Sequence, residues 1–457
     1  MPATSSDGVV AAAAPRGRAL TQIALEVRRA LWLVDALVAA SSMLLAHALS
    51  PVFRAGPGAK EALAAAAVYA TAFVFVGYAV GLYDWNVGLP RVTLFFRLLV
   101  ASAFSAGATL GFFYLVFYRP IGRWVVAYTV LLSAPFAFIP RNALWLLLRH
   151  RRQRVLFAGG GALADRLASL IESRPEALYE VIGRWRPGGR EELLDLCRTK
   201  GVDEIVLPTG AAELEPVLVH ALHCLPLGCR LRSEADFHED LLSAVPVMHV
   251  PPEWMLAKGL DTSNHLAEAV KRLTDIALAV TLLVVSAPLH LLAIVALMLQ
   301  GGGPVFYRQA RVGRHGRPFS ILKLRSMRVD AEEGAPRWAS PVDPRATPLG
   351  RILRRTRLDE LPQLVNILVG DMSFVGPRPE RPEFVAELER TIPFYSWRHF
   401  VRPGLTGWAQ INYPYGSSAE DARRKLEYDL FYIRHYSVLT DLSIALRTAT
   451  AAARGAR

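Results

Sequence analysis

The sequence predicts a membrane protein of mixed α and α/β class. It divides into four transmembrane helices, a Rossmann-like cytoplasmic domain, and a mixed, mostly helical domain anchored by a re-entrant membrane helix-break-helix. Three observations carry this reading. At 457 residues the chain exceeds what one ordinary core organises, so two or three folded units are expected. Hydrophobic residues make up 52% of it, with a mean hydropathy of +0.26, and they concentrate in the first third and around residue 280. From Gly303 onward the composition turns arginine-dense and glycine-punctuated.

The net charge of +12, with a pI of about 9.8, suits a protein that lies on anionic headgroups or handles phosphate-rich substrates. Nucleic acid is the weaker reading, because long apolar stretches have no place in such a binder and no zinc-finger spacing or RNA-binding signature occurs. The three cysteines, Cys197, Cys224 and Cys229, fall in one middle segment and read as packing residues of a reduced compartment.

Residues 1–29 read as a disordered tail, rich in Ala, Ser and Gly up to about residue 20, with no cleavable signal. Residues 30–150 form the transmembrane domain. Its four apolar stretches, at roughly 30–52, 61–82, 92–118 and 123–148, each approach the ~20 residues that cross a bilayer. Arg16, Arg18, Arg28 and Arg29 precede the first stretch, and Arg149, His150, Arg151, Arg152 and Arg154 follow the fourth. Both flanks are therefore cytoplasmic by the positive-inside rule, which an even number of crossings satisfies. Trp32, Tyr83, Trp85, Tyr118 and Trp124 fall near the ends, where amphipathic rings anchor.

Residues 153–250 read as the Rossmann-like unit. A strand from Val155 to Ala158 runs into Gly159-Gly160-Gly161, a helical pattern follows to Ile171, and a second strand is expected at 204–208. Gly159, Gly161 and Ala164 approximate the dinucleotide fingerprint. Where an acidic residue would close the second strand and hold a ribose, Arg184-Trp185-Arg186 stands instead, so the glycines serve equally well as a strand-to-helix turn.

Residues 266–300 contain an apolar run, 276–299, that hydropathy alone would make a fifth crossing. A crossing would carry everything after residue 300 out of the cytoplasm. Pro288, with Ser286 and His290 beside it, predicts a break, so a hairpin that enters and leaves by one face is expected. Lys271 and Arg272 would lie at headgroup level, with Asp275 satisfying donors near the break.

Residues 301–457 carry Asp359 and Glu360 immediately after the basic cluster Arg351, Arg354, Arg355 and Arg357. Pro362 is tolerable only in a first helical turn, which puts the acidic pair at a helix start. Position alone favours helix capping. The basic surroundings favour chemistry, since a carboxylate that attacks phosphorus must be ionised among cations that lower its pKa. Its neighbour suits Mg²⁺, which takes one or two carboxylates plus substrate phosphates.

Six motifs occur in order: Lys271-Arg272-x-x-Asp275, Pro304-Val-Phe-Tyr-Arg-Gln309, Lys323-Leu-Arg-Ser-Met327, Arg357-Leu-Asp-Glu-Leu-Pro-Gln363, Gly370-Asp-Met-Ser-Phe-Val-Gly-Pro-Arg-Pro-Glu380 and Arg402-Pro-Gly-Leu-Thr-Gly-Trp-Ala-Gln-Ile-Asn412. Through them residues 266–457 resemble the catalytic domain of the bacterial sugar transferases, the monotopic phosphoglycosyl transferases. The whole chain is similar to their large polyprenyl glycosylphosphotransferase members in exopolysaccharide synthesis. Tyr413-Pro-Tyr-Gly416, Glu420-Asp421 and Tyr428-Asp429 resemble the exosortase-associated branch.

The resemblance implies transfer of a sugar 1-phosphate from a UDP-sugar to polyprenyl (undecaprenyl) phosphate at the cytoplasmic face of a bacterial inner membrane. It implies Asp359 as nucleophile, forming a covalent phosphosugar and expelling UMP, with Glu360 holding Mg²⁺. Lys323, Arg325, Arg354, Arg378 and Arg402 would surround the diphosphate or the lipid phosphate. Ala310 stands where relatives carry a glutamate, and Ala287 separates Ser286 from Pro288, which relatives place together. No residue reads the sugar's hydroxyls, and a homodimer is compatible with the sequence. The competing classes are a flippase, for which the spans offer only Asp35, His47 and Arg141 near ends or breaks, and a non-catalytic assembly scaffold.

Overall fold

A computed structural model describes residues 30–50, 59–83, 91–117, 121–148, 152–173, 179–186, 190–257, 265–332 and 343–453, positions 415 and 417 excepted. The chain divides into two units, residues 1–237 and 238–457. The expected tail, 1–29, and the expected anchors Trp85 and Tyr118 lie outside the described residues.

Four apolar helices open the first unit: α1 (Leu31–Leu49), α2 (Ala59–Ala79), α3 (Arg91–Phe117) and α4 (Arg123–Leu148). Each is long and apolar enough to cross a bilayer. α1 and α3 both pack on α2 and α4, which closes a ring. Small residues such as Ala39, Ala66, Ala101 and Ala134 line its core around Tyr69 and Phe73. Small side chains let helices approach closely where no water drives them together. Leu37, Leu63 and Leu131 are exposed on the outside, so the helices are apolar all round, as lipid requires.

Two polar arrangements interrupt this core. Tyr69 Oη lies 2.7 Å from Ser133 Oγ, which donates to Ser102 Oγ at 2.9 Å. Asp35 and Arg141 lie near helix ends or breaks as expected, and they are wholly buried and paired, the two Nη atoms facing the two carboxylate oxygens. Tyr83, expected to anchor at the interface, turns inward and donates to Asp35 Oδ2 at 2.6 Å.

Next come β1 (Gln153–Ala158), α5 (Ala162–Glu172), β2 (Tyr179–Trp185), α6 (Arg190–Lys200), β3 (Glu204–Leu207), α7 (Ala211–Leu222), β4 (Arg230–Ser233) and α8 (Glu234–Leu242). The four strands form one parallel sheet in the order β2-β1-β3-β4. Gly159 ends β1 at φ +117°, and a Cβ there would lie 3.3 Å from Pro208, so glycine is required on both counts. The three cysteines are buried in this core.

The second unit holds α9 (Pro252–Ala257) and α10 (His265–Gln300), a 36-residue helix. Helical structure runs unbroken past Pro288, so the expected helix-break-helix is one helix. Ser286 Oγ donates to the Leu282 carbonyl, and His290 Nδ1 lies 3.1 Å from the Ser286 carbonyl oxygen, so side chains serve the backbone around the proline. One stripe of α10 faces protein: Ala279 packs with Ile321 and Leu364, and Ala293 and Leu297 pack with Leu324 and Leu353. The opposite stripe, including Leu273, Val284, Val285, Leu292 and Leu299, is exposed.

A hairpin of β5 (Phe306–Val312) and β6 (Pro318–Leu324) leads to α11 (Pro348–Arg355), a 3₁₀ turn over Leu358–Glu360, and α12 (Gln363–Val369). Then follow β7 (Ser373–Val375), α13 (Pro382–Thr391), β8 (Gly404–Thr406), α14 (Trp408–Asn412), α15 (Ala419–Arg434) and α16 (Val438–Ala453). β7 and β8 pair in parallel.

Candidate active site

The acidic pair sits where α11 gives way to α12. Thr347 caps α11 by accepting from the Gly350 amide, and the helix stops at Thr356. Arg357 then takes a left-handed conformation, φ +60°, unusual for a residue with a Cβ. That reversal turns the next residues inward, so Asp359 and Glu360 are both buried, at 7% and 9% exposure. Neither acts as an N-cap, because the cap of α12 is Pro362, with no side-chain cap hydrogen bond. Helix capping is therefore not their role.

Glu360 gathers cations from three directions. Lys323 on β6 donates to Oε1 at 3.3 Å, Arg378 pairs with the same oxygen, and Arg357 reaches Oε2 at 3.4 Å. Burial alone would raise its pKa. The charges of Arg378 and Lys323, the Arg378 hydrogen bond and Arg357 outweigh that and hold Glu360 well below the usual carboxylate range. Lys323 is lowered by burial, against the pull of Glu360.

Asp359 is treated oppositely. No hydrogen bond or ion pair reaches its carboxylate among the described residues, and burial together with the adjacent Glu360 charge raises its pKa, opposed by Lys323, Arg354 and Arg378. The sequence suggested that the basic surroundings would hold the attacking carboxylate down. The structure gives that treatment to its neighbour, because the side chains of Lys323, Arg357 and Arg378 converge on Glu360.

Of the five cations expected at the phosphates, Lys323 and Arg378 touch Glu360, and Arg354 acts on Asp359 through its charge. Arg325 instead donates to the Gly301 carbonyl oxygen, and Arg402 pairs with Glu268 at 3.1 Å beside Arg314.

The residues expected at headgroup depth are structural brackets. Lys271 is 5% exposed, pairs with Asp441 and donates to the Val375 carbonyl oxygen at 3.1 Å. Arg272 donates to the carbonyl oxygens of Ile367 and Leu368, neutralising the C-terminal end of α12. Asp275 accepts from the Phe374 amide at 2.9 Å, far from Pro288 in sequence. This motif fastens α12 and β7 to α10, and so fixes what flanks the acidic pair. Asn366 adds a second clamp, accepting from Leu322 N at 3.0 Å and donating to Ser320 O at 2.8 Å on β6.

Arg378 is held by residues that its own motif does not reveal. Gly376 allows the approach of β8: a Cβ there would stand 2.4 Å from the Arg402 carbonyl oxygen. Arg398 donates to the Arg378 carbonyl oxygen at 3.0 Å and to Asp429 at 2.8 Å. Asp429 is 2% exposed, and burial pushes its pKa up to about 6 against the Arg398 charge. Arg357, expected in the basic cluster but not among the phosphate-binding cations, also joins Glu360; its place two residues before Asp359 was the available signal.

Among the described residues no three acidic, histidine or cysteine side chains converge as a metal cage. The donor set fits a divalent ion shared between protein and substrate: Asp359 offers an undonated carboxylate, and Glu360 Oε2 has only a 3.4 Å partner.

Residues 266–455 match the family model described as Bacterial sugar transferase. A UDP-N-acetylgalactosamine-undecaprenyl-phosphate N-acetylgalactosaminephosphotransferase of Aeromonas hydrophila is 40% identical over 220 residues, 45% of this chain and 52% of that protein, so the match spans about half its length. A UDP-glucose:undecaprenyl-phosphate glucose-1-phosphate transferase of Xanthomonas campestris pv. campestris is 34% identical over 357 residues, covering 72% of each chain. One of the same name from Escherichia coli (strain K12) is 33% identical over 315 residues, covering 65% of this chain and 67% of its own.

Proposed function

Because this chain belongs to the bacterial sugar transferase family, we propose that it transfers a sugar 1-phosphate from a UDP-sugar to undecaprenyl phosphate, initiating exopolysaccharide synthesis. The observation that carries the reading is the asymmetry of the buried pair: Lys323, Arg357 and Arg378 pair with Glu360, while among the described residues no side chain donates to the Asp359 carboxylate beside them.

A UDP-sugar bringing its diphosphate to Lys323, Arg354 and Arg378 meets charge that is already positioned and desolvated. Arginine forks and the lysine point charge suit phosphate oxygens. An Asp359 carboxylate oxygen attacks the sugar-bearing phosphorus, the bond to the bridging oxygen breaks, and UMP leaves with that electron pair. A phosphate oxygen of the lipid then attacks the same phosphorus, releasing polyprenyl diphospho-sugar and restoring the carboxylate. Glu360 would hold Mg²⁺, which would neutralise phosphate charge when bound. Burial makes Asp359 a more basic nucleophile than an exposed aspartate.

The membrane arrangement belongs to the same proposal: four crossings by α1 to α4, both flanks in the cytoplasm, and α10 entering from that face without crossing. What supports the last point is packing. Ala279 near one end and Leu297 near the other contact a single folded unit, which cannot lie on both sides of a bilayer. The exposed stripe of α10 is left for lipid. A homodimer is part of the reading, to be checked by sedimentation of solubilised protein.

Purified full-length protein mixed with candidate UDP-sugars and Mg²⁺, without acceptor, should release UMP and gain one phosphosugar mass on Asp359. Intact mass spectrometry that never finds this adduct would overturn the covalent route. For Glu360→Gln, activity restored by high Mg²⁺ supports the metal role, and unchanged metal dependence removes it. A flippase or scaffold would release no UMP at all.

A further inference from the structure

At the C-terminal end of α10 lies a cavity of about 340 Å³ lined by Gly301, Gly302, Arg325, Arg328, Val329 and Thr347. Arg325, only 7% exposed, is its cation. Its Nη2 donates to the Gly301 carbonyl oxygen, whereas its Nη1 is buried with no partner among the described residues. A buried guanidinium N–H without an acceptor is costly, and a folded protein rarely keeps one without a use. The chain makes room for it: at Gly303, φ +132°, a Cβ would lie 2.5 Å from Arg325 Nη1 and 2.5 Å from Val329.

The rim has the opposite chemistry. Val329, 66% exposed, and Met327 line the cavity, which opens beside Gln300 at the end of α10, one residue past Leu299, 83% exposed on the bare face of that helix. Arg328 adds an exposed second cation. Arg325 follows Lys323 by two residues, with its amide bonded to the Val305 carbonyl oxygen at 2.8 Å. Side chains two apart leave a strand on one face about 7 Å from each other, and Lys323 is the residue that holds Glu360.

A cationic floor under an apolar rim, at the foot of a helix whose outer face is bare, matches a phosphate monoester carried on a hydrocarbon chain. We propose that this cavity receives the phosphate of the polyprenyl phosphate acceptor, with Arg325 Nη1 donating to one of its oxygens and the rim carrying the first isoprene units. The assignment rests on the transferase reading above for the identity of the lipid. A diphosphate from the nucleotide is the rival occupant, and the test separates the two.

Full-length wild type, Arg325→Lys and Arg328→Gln would be compared in detergent by native mass spectrometry with decaprenyl phosphate, and in parallel with phosphatidylglycerol. Wild type should retain decaprenyl phosphate in preference to phosphatidylglycerol, and both variants should lose that retention. In steady-state assays the KM for the lipid should rise about tenfold, the worth of one charge-assisted hydrogen bond, with the KM for the UDP-sugar unmoved. Arg328 is exposed, so its variant keeps the test decisive should Arg325→Lys fail to fold. Equal retention by wild type and variants, no preference over phosphatidylglycerol, or a rise in the UDP-sugar KM instead would each overturn the proposal. Retention as expected in a wild type that transfers no sugar phosphate would remove the transferase reading and leave this site standing.

Discussion

The ring of four apolar helices and the unit that carries Asp359 each bury acidic side chains against arginine, and they do it in opposite ways. In the ring, Asp35 and Arg141 match two oxygens to two nitrogens with both side chains fully enclosed, and Tyr83 supplies a further donor. Charge and hydrogen-bonding capacity at Asp35 are spent within the protein. In the second unit three cations crowd Glu360, and among the described residues Asp359 receives no donor. A balanced buried pair holds helices together; an unbalanced cluster leaves reactive capacity for a ligand.

The largest test of that contrast is Asp359→Asn. It should lower UMP release by at least about a thousandfold, because the nucleophile is removed outright. The variant should stay folded, since no hydrogen bond depends on the lost charge. Unfolding measured by thermal scanning in detergent would show that Asp359 is structural after all.

Asp35→Asn should do the reverse. It strands Arg141 as a buried charge and should cost about 3–5 kcal/mol of stability. The double variant Asp35→Leu with Arg141→Met should recover most of it. A single variant as stable as wild type would mean that the pair is not closed.

Next in size is Arg378→Lys. A lysine keeps the charge but loses the fork that serves Glu360 while remaining tied to the Arg398–Asp429 brace, so kcat/KM should fall about ten- to a hundredfold. A change confined to KM for the UDP-sugar would assign Arg378 to binding alone.

What was legible in the sequence follows the range of the forces involved. The four apolar helices were readable because about 20 apolar residues suffice to specify a candidate span, and the helices begin and end within a few residues of the expected bounds. Asp359, Glu360, Lys323 and Arg378 were readable through their motifs. The partner of Lys271 was not, because Asp441 follows 170 positions later and only the folded unit joins them. Arg402 shares a motif with glycines that truly flank β7, yet its guanidinium answers Glu268, 134 positions earlier. Pro288 suggested a break because proline removes one backbone donor, yet the helix continues through it, with Ser286 and His290 bonded to the neighbouring carbonyl oxygens of Leu282 and Ser286.

The smallest effect is also the sharpest, because it reads the imbalance directly. The pKa of Asp359 is raised first by burial and then by the neighbouring Glu360 charge. Its reactive form is the carboxylate, so single-turnover UMP release should fall as pH drops through a midpoint above the ordinary aspartate value of about 3.9. Glu360→Gln deletes the repelling charge and frees Arg378 and Lys323 to act on Asp359, so ionisation becomes easier and the acid limb must move to lower pH even as the rate falls. An acid limb that stays in place would mean that the two carboxylates do not sense each other, and a limb that moves upward would mean that Glu360 had been organising the cations on behalf of Asp359.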